Sequence, residues 1–252
     1  MWRRWSCSLG GSVCRAGFLA MIASGCFAGS SSAAEPEWLD LSWDDCASGV
    51  SNKAFTCDSN VGVETIVVSF ASTINFPKVV RVEVSMHVCF EDNILPDWWT
   101  VLRPSGCRWG ALTGTIAPPS VGCASIWDAA GGVTLNLGEI DGTPTTLNGF
   151  RFVLDASIGD SSRALDIRAG QTYELMRMTL DHTRTVGTGA CGGCSIGASI
   201  GGDFVWLFGA TNLSNMGFSQ TPSITWQVAT TNCVAITPVR RQTWGALKAL
   251  YR

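Results

Sequence analysis

Tyrosine and histidine are nearly missing from this chain of 252 residues, with two of each, and only 15% of its residues are charged. Soluble domains ordinarily carry about 25% charged residues. So low a charge content excludes a disordered tail, a coiled coil and a nucleic-acid-binding arm. No acidic residue follows Asp203. No apolar run reaches the ~18 residues that a membrane span needs, and no helical period of useful length precedes the last ten residues. What the chain does have is glycine (28), cysteine (11) and tryptophan (11). Its length suits one large all-β domain or two small ones, and a single domain is the simpler reading.

The first 34 residues read as an address. Arg3, Arg4 and Arg15 precede a short apolar run around Leu19, Met21 and Ile22, and Ser32-Ala33-Ala34 stands before Glu35-Pro36. That order predicts a secretory signal, 1–34, cleaved after Ala34. A rival reading takes Ala23-Ser24-Gly25-Cys26 as a lipoprotein signal with Cys26 lipidated, although Ala23 stands where leucine is usual. The expected location is secreted or cell-surface, with periplasmic or Cys26-anchored forms as lesser alternatives. Three of the 17 basic residues and none of the 20 acids lie in the signal, so the mature chain holds 14 basic and 20 acidic groups, net −6. Such a surface repels nucleic acid and anionic membrane.

Eight cysteines stay in the mature chain: Cys46, Cys57, Cys89, Cys107, Cys123, Cys191, Cys194 and Cys233. An even set behind a secretory signal predicts a disulfide framework, although eight cysteines allow 105 connectivities. Adjacency suggests Cys46 with Cys57, Cys107 with Cys123, Cys191 with Cys194 and Cys89 with Cys233. The last would close the longest loop and contribute about 4 to 5 kcal/mol.

Apolar residues recur with period two. Val80, Val82, Val84, Met86, Val88 and Phe90 alternate with Arg81, Glu83, Ser85, His87 and Cys89, a long strand with one wet face. Ile66, Val68 and Phe70, then Val133, Leu135 and Leu137, then Phe150, Phe152 and Leu154 follow the same rule. So do Met176, Met178 and Leu180, Phe204, Trp206 and Phe208, and Ile224, Trp226 and Val228. These seven or eight strands, separated by Gly-, Pro- and Asp-rich turns, predict an all-β antiparallel sandwich over 35–238, jelly-roll or Ig-like and stapled by disulfides. A basic amphipathic tail, 239–252, would add a short C-terminal helix.

Several motifs invite a catalytic reading. Gly187-Thr188-Gly189-Ala190-Cys191-Gly192 fits G-x-G-x-x-G, but the glycine-rich stretch after it is ill suited to the helix that a dinucleotide site needs. Gly193-Cys194-Ser195-Ile196-Gly197 fits the G-x-S-x-G elbow, whose chain order requires a histidine after the serine. Both His87 and His182 come before it. An order of His87, an Asp and Ser195 would suit a chymotrypsin-like hydrolase, yet the residues around Ser195 lack that family's Gly-Asp-Ser-Gly-Gly, and alternation predicts His87 to be a solvated surface residue. Cys191-Gly192-Gly193-Cys194 has redox or half-zinc spacing; a small disulfide loop is the simpler reading, with His182 and the two thiolates as a metal alternative. No cofactor, metal site or catalytic residue is expected.

Paired carboxylates would be needed for a β-sandwich glycosidase, and Glu83, Glu91, Asp97 and Glu174 with Trp98, Trp99 and Trp109 are its candidates. Trp206 and Trp226 fall on the apolar phase of strands and are expected in the core. Trp98 and Trp99 are adjacent, so at least one could be exposed to stack on a ligand, or both could plug the end of the core. In the tail, Thr243 can cap a short helix with Trp244, Leu247, Leu250 and Tyr251 on one side, alongside Arg240, Arg241, Lys248 and Arg252. Arg240, Arg241, Trp244, Leu247, Lys248 and Tyr251 are the candidate docking residues. So short a helix orders only against a partner surface.

Leu41-Ser42-Trp43-Asp44-Asp45-Cys46, Phe55-Thr56-Cys57, Asp97-Trp98-Trp99, Cys107-Arg108, Gly189-Ala190-Cys191-Gly192-Gly193-Cys194 and the ending Thr243-Trp244-Gly245-Ala246-Leu247-Lys248-Ala249-Leu250-Tyr251-Arg252 form a further pattern. It resembles a family of uncharacterised secreted bacterial proteins over nearly all of the mature chain. The resemblance implies secretion and assigns no catalytic residue. The expected function is a non-catalytic extracellular binding or surface-structural module, with a glycan or other cell-surface component as partner. A β-sandwich glycosidase or other secreted hydrolase is the alternative.

Overall fold

The computed structural model describes residues 38–46, 49–91, 94–116, 122–127, 133–140, 149–210, 215–218, 222–227 and 229. The proposed signal, Cys233 and the tail lie outside the described residues, and with them the expected C-terminal helix.

Thirteen strands occupy the described residues: β1 (Trp38–Trp43), β2 (Asn52–Lys53), β3 (Val63–Ala71), β4 (Phe76–Phe90), β5 (Leu112–Thr115), β6 (Ala124–Ser125), β7 (Val133–Glu139), β8 (Gly149–Ile158), β9 (Leu165–Ile167), β10 (Thr172–Asp181), β11 (Ala198–Gly209), β12 (Asn215–Phe218) and β13 (Ser223–Trp226). They form two sheets. The first runs β1-β3-β10-β5, with β6 beside β10; the second runs β2-β13-β11-β4-β8-β7, with β12 also on β11 and β9 on β4. Pairing is antiparallel except for the short β6–β10 and β2–β13 contacts. The protein is an all-β sandwich, as the alternation predicts, because β-branched and aromatic residues at every second position give each sheet one apolar face that must be covered.

That cover is reciprocal. Ile66, Val68, Phe70, Met176, Met178 and Leu180 of the first sheet are buried with Val82, Val84, Met86, Phe152, Leu154 and Leu207 of the second. One side of the sandwich closes where β1 meets β11 and β13, with the Trp43 indole donating to the Thr225 carbonyl at 3.1 Å. The other side closes where β5 meets β7.

Disulfides join Cys46 to Cys123, Cys57 to Cys194 and Cys107 to Cys191. The expected adjacent pairs are therefore corrected. Between Cys46 and Cys57 the chain leaves β1 of the first sheet and enters β2 of the second, so the two cysteines part company. Cys191 and Cys194 sit on a loop whose turn at Gly193 (φ +99°) directs them to different neighbours. A Cβ at Gly193 would come 2.4 Å from Cβ of Pro96, so only glycine fits there. Cys89 is disulfide-bonded as well; its expected partner, Cys233, lies outside the described residues.

Candidate ligand-binding face

At the end of the sandwich stapled by Cys57–Cys194 and Cys107–Cys191, indoles collect in the core. Trp98 stacks on Trp226 with ring centres 5.2 Å apart, and Trp99 meets both edge-on. Trp98 is fully buried and Trp99 only 2% exposed. The ligand-stacking reading of this pair is corrected: the Leu95-Pro96 turn leads into a single 3-10 turn, Asp97–Trp99, which turns both rings inward instead of to opposite sides. Arg108 lies over Trp98 with its guanidinium carbon 3.6 Å from the ring centre. It donates to the carbonyls of Thr183 (2.8 Å), Trp98 (3.0 Å) and Asp181. Burial pushes its pKa down to about 10, against the pull of the Asp181 charge. This arginine holds the fold together by satisfying one buried and two partly buried backbone acceptors.

Two of the candidate catalytic carboxylates stand in different sheets. Glu83 is on β4 of the second sheet, ion-paired with Arg81, while Glu174 is on β10 of the first, buried against Arg177. Asp97 is exposed on its turn, and Glu91 follows β4, donating its backbone N–H to Gly197. Ser195 is exposed on the glycine-rich loop, which carries no helix after Gly192. Cys191 and Cys194 are held in disulfides to separate loops, so the redox and metal readings of their spacing are corrected. His182 is buried, its ring tilted against Phe55 with ring centres 3.6 Å apart, and its Nε2 lies 3.2 Å from Glu64. Among the described residues no group of three or more His, Cys, Asp or Glu is placed to hold a metal ion.

The outer face of the second sheet is different. Gly202 of β11 pairs with Met86 and Phe204 with Ser85, which makes Asp203 an extra residue in the strand. This β-bulge reverses the phase of the strand. Ala198 and Ile200 face the core before it and Val205 and Leu207 after it, so Phe204, Trp206 and Phe208 turn outward. Trp206 is 42% exposed, and its expected place in the core is corrected on that ground.

The bulged Asp203 also organises the polar end of this face. Its carboxylate accepts from Ser85 Oγ at 3.2 Å, meets His87 Nδ1 at 2.7 Å and pairs with Arg151 Nε at 3.1 Å. Burial raises its pKa, but the hydrogen bond and charge of His87, the Arg151 charge and the Ser85 hydroxyl outweigh it and hold the carboxyl below the usual aspartate value. His87 is thus buried rather than solvated, its ring lying across Gly201, where a Cβ would come within 2.6 Å of it. Ser85 bonds to the carboxylate and not to the imidazole, so His87 is not set to take a proton from it. Nearer the centre, Arg81 reaches Asp155 at 2.8 Å and Glu83 at 2.9 Å, and its guanidinium lies 4.8 Å from the centre of the Phe208 ring. The hydrogen bond to Asp155 raises the Arg81 pKa.

Sequence reasoning missed Asp203, Arg151 and Asp155. The signal that could have found the bulge is Gly201-Gly202-Asp203, glycines within a strand pattern.

No family model and no curated protein matches the chain. Solved structures similar to it include a cohesin module from the family 33 glycoside hydrolase of Clostridium perfringens, at TM-score 0.37 and 8% identity, covering 75% of this chain and 96% of that one. A type II cohesin domain from the cellulosome of Acetivibrio cellulolyticus is matched at TM-score 0.35 and 10% identity, covering 76% and 95%. A CBM3 from Hungateiclostridium clariflavum is matched at TM-score 0.24 and 11% identity, covering 57% and 72%.

Proposed function

We propose that this protein is a secreted, non-catalytic binding or surface-structural module that engages an extracellular partner, a glycan or other cell-surface component, through the outer face of its second sheet. One observation carries the reading: a bulge in β11 turns Trp206 out of the core and leaves it 42% exposed in the middle of a sheet. Hiding an indole is ordinarily favourable, so an exposed one amid fixed polar groups marks a contact surface. The disulfides support an oxidising, extracellular setting. Among the described residues no helix is long and apolar enough to cross a membrane.

A hydrolase is the competing class. Incubating the purified protein with polysaccharide and ester substrates is expected to give no turnover. Turnover that copurifies with the protein and disappears in Glu83→Gln, Glu91→Gln, Asp97→Asn or Glu174→Gln would overturn the module reading. The tail 239–252 is proposed to dock through Arg240, Arg241, Trp244, Leu247, Lys248 and Tyr251. Deleting 240–252 should redistribute the protein between cell surface and medium while hardly moving its melting temperature; a sharp fall in melting temperature with unchanged location would assign it to the fold instead.

A further inference from the structure

We propose that the outer face around Trp206 is a carbohydrate-binding platform for an uncharged, extended polysaccharide, an inference that rests on the binding-module reading and names its ligand class. Phe204, Trp206 and Phe208 point outward at every second position of β11. Successive rings of such a stripe stand about 7 Å apart along the strand. Arg81 lies over Phe208 and Phe204 is half-buried, so the open ring is the central indole. On one side, Trp206 pairs in register with Gly217 of β12, a residue without a side chain. On the other side it pairs with Glu83, which pairs in turn with Asp155, and Asp155 with Asn136. One straight row across four strands therefore reads indole, carboxylate, carboxylate, amide.

That row has the chemistry of a sugar ring. A pyranose offers an apolar C–H face and a rim of hydroxyls; the indole takes the first, and the acceptors on the neighbouring strands take the second. Arg81 occupies only one oxygen of each carboxylate, Asp155 Oδ1 and Glu83 Oε2. It thereby fixes both groups while leaving lone pairs to receive hydroxyl protons. Arg81 offsets one of the two carboxylate charges, and the negative charge left on the row disfavours an anionic chain. A protein partner would need a contiguous apolar centre from which charged groups are depleted. Here the apolar surface is a single strand wide: along β11 the exposed ring has Phe204 and Phe208 beside it, but across the sheet it is bordered by Gly217 and Glu83.

The test is affinity electrophoresis and titration calorimetry with soluble mixed-linkage β-glucan, xylan and galactomannan, and with pectate and hyaluronan as charged polysaccharides. The intact protein is expected to bind at least one uncharged polysaccharide with little dependence on salt. Trp206→Ala should weaken that binding about tenfold or more, equivalent to ~1.4 kcal/mol. Trp206→Phe should restore part of it, and Ile94→Ser, which removes an exposed apolar side chain outside β11, should leave it unchanged. Melting curves of each variant confirm folding. Equal binding by the intact protein and Trp206→Ala would overturn the platform while leaving a binding module with another face. Binding to none of the uncharged polysaccharides, or only to the charged ones and only at low salt, would overturn the ligand class. Hydrolysis of a polysaccharide during the assay, lost in the acid-to-amide variants, would instead sink the module reading itself.

Discussion

The stapled end and the outer face of the second sheet use the same residue types to opposite ends. At the stapled end an arginine stacks on an aromatic ring, Arg108 on Trp98, and, with its own side chain fully buried, spends its donors on backbone carbonyls. On the outer face an arginine also lies over an aromatic ring, Arg81 on Phe208, but its donors go to carboxylates that remain partly open to solvent. Surroundings decide what the same side chain does. The buried guanidinium completes the backbone of its own chain, whereas the half-exposed one fixes the side chains of neighbouring strands.

The sharpest way to break this contrast is at the staples. Replacing Cys57 and Cys194 with alanine opens a link across 137 residues and should lower the unfolding free energy by about 4 to 5 kcal/mol in urea denaturation. A negligible loss would mean that the stapled end is held by its indoles alone. Arg108→Met comes next, at about 3 kcal/mol, because one buried and two partly buried carbonyls lose their donor; Arg108→Lys should recover little, since one ammonium cannot reproduce the stacked fork. The third effect concerns Asp203, whose carboxyl is held below its ordinary value of 3.8. A depressed pKa contributes stability above that ordinary value and loses it as pH falls through the lowered one. Thermal melts should therefore show Asp203→Asn less stable than the native protein at pH 6, with the gap closing below about pH 4. Smallest of all, Trp206→Ala should shift unfolding by under ~0.5 kcal/mol, the usual range for an exposed site. A shift of several times that size would place Trp206 with the core residues and erase the difference between the two regions.

How far each region could be read from the chain alone differs for a physical reason. Period two along Val80 to Phe90 and along Phe150 to Leu154 located the central strands, because burial of alternate side chains is a local property of sequence. The stretch Phe204-Val205-Trp206-Leu207-Phe208 is apolar at every position, so alternation could not say which set faces inward. One inserted residue, Asp203, decided it. The short strands β2, β6, β9 and β12 carry too few residues to show any period and exist only through their neighbours. Charge partnerships were illegible for the same reason: His87 and Asp203 lie 116 residues apart, and only the register of β4 against β11 joins them.

The connectivity of the cysteines has a kinetic consequence. Cys191 and Cys194 are three positions apart, yet each native bond described here joins segments separated by at least 77 residues. Random closure favours short loops, so an oxidising, unfolded chain will first capture the wrong neighbours, Cys46 with Cys57 and Cys107 with Cys123 among them. Reaching the native set then requires those bonds to be attacked by free thiolates and exchanged. Maturation of this protein should accordingly be limited by isomerisation of its disulfides rather than by their formation, which makes a disulfide isomerase, more than an oxidant, the helper that governs its yield.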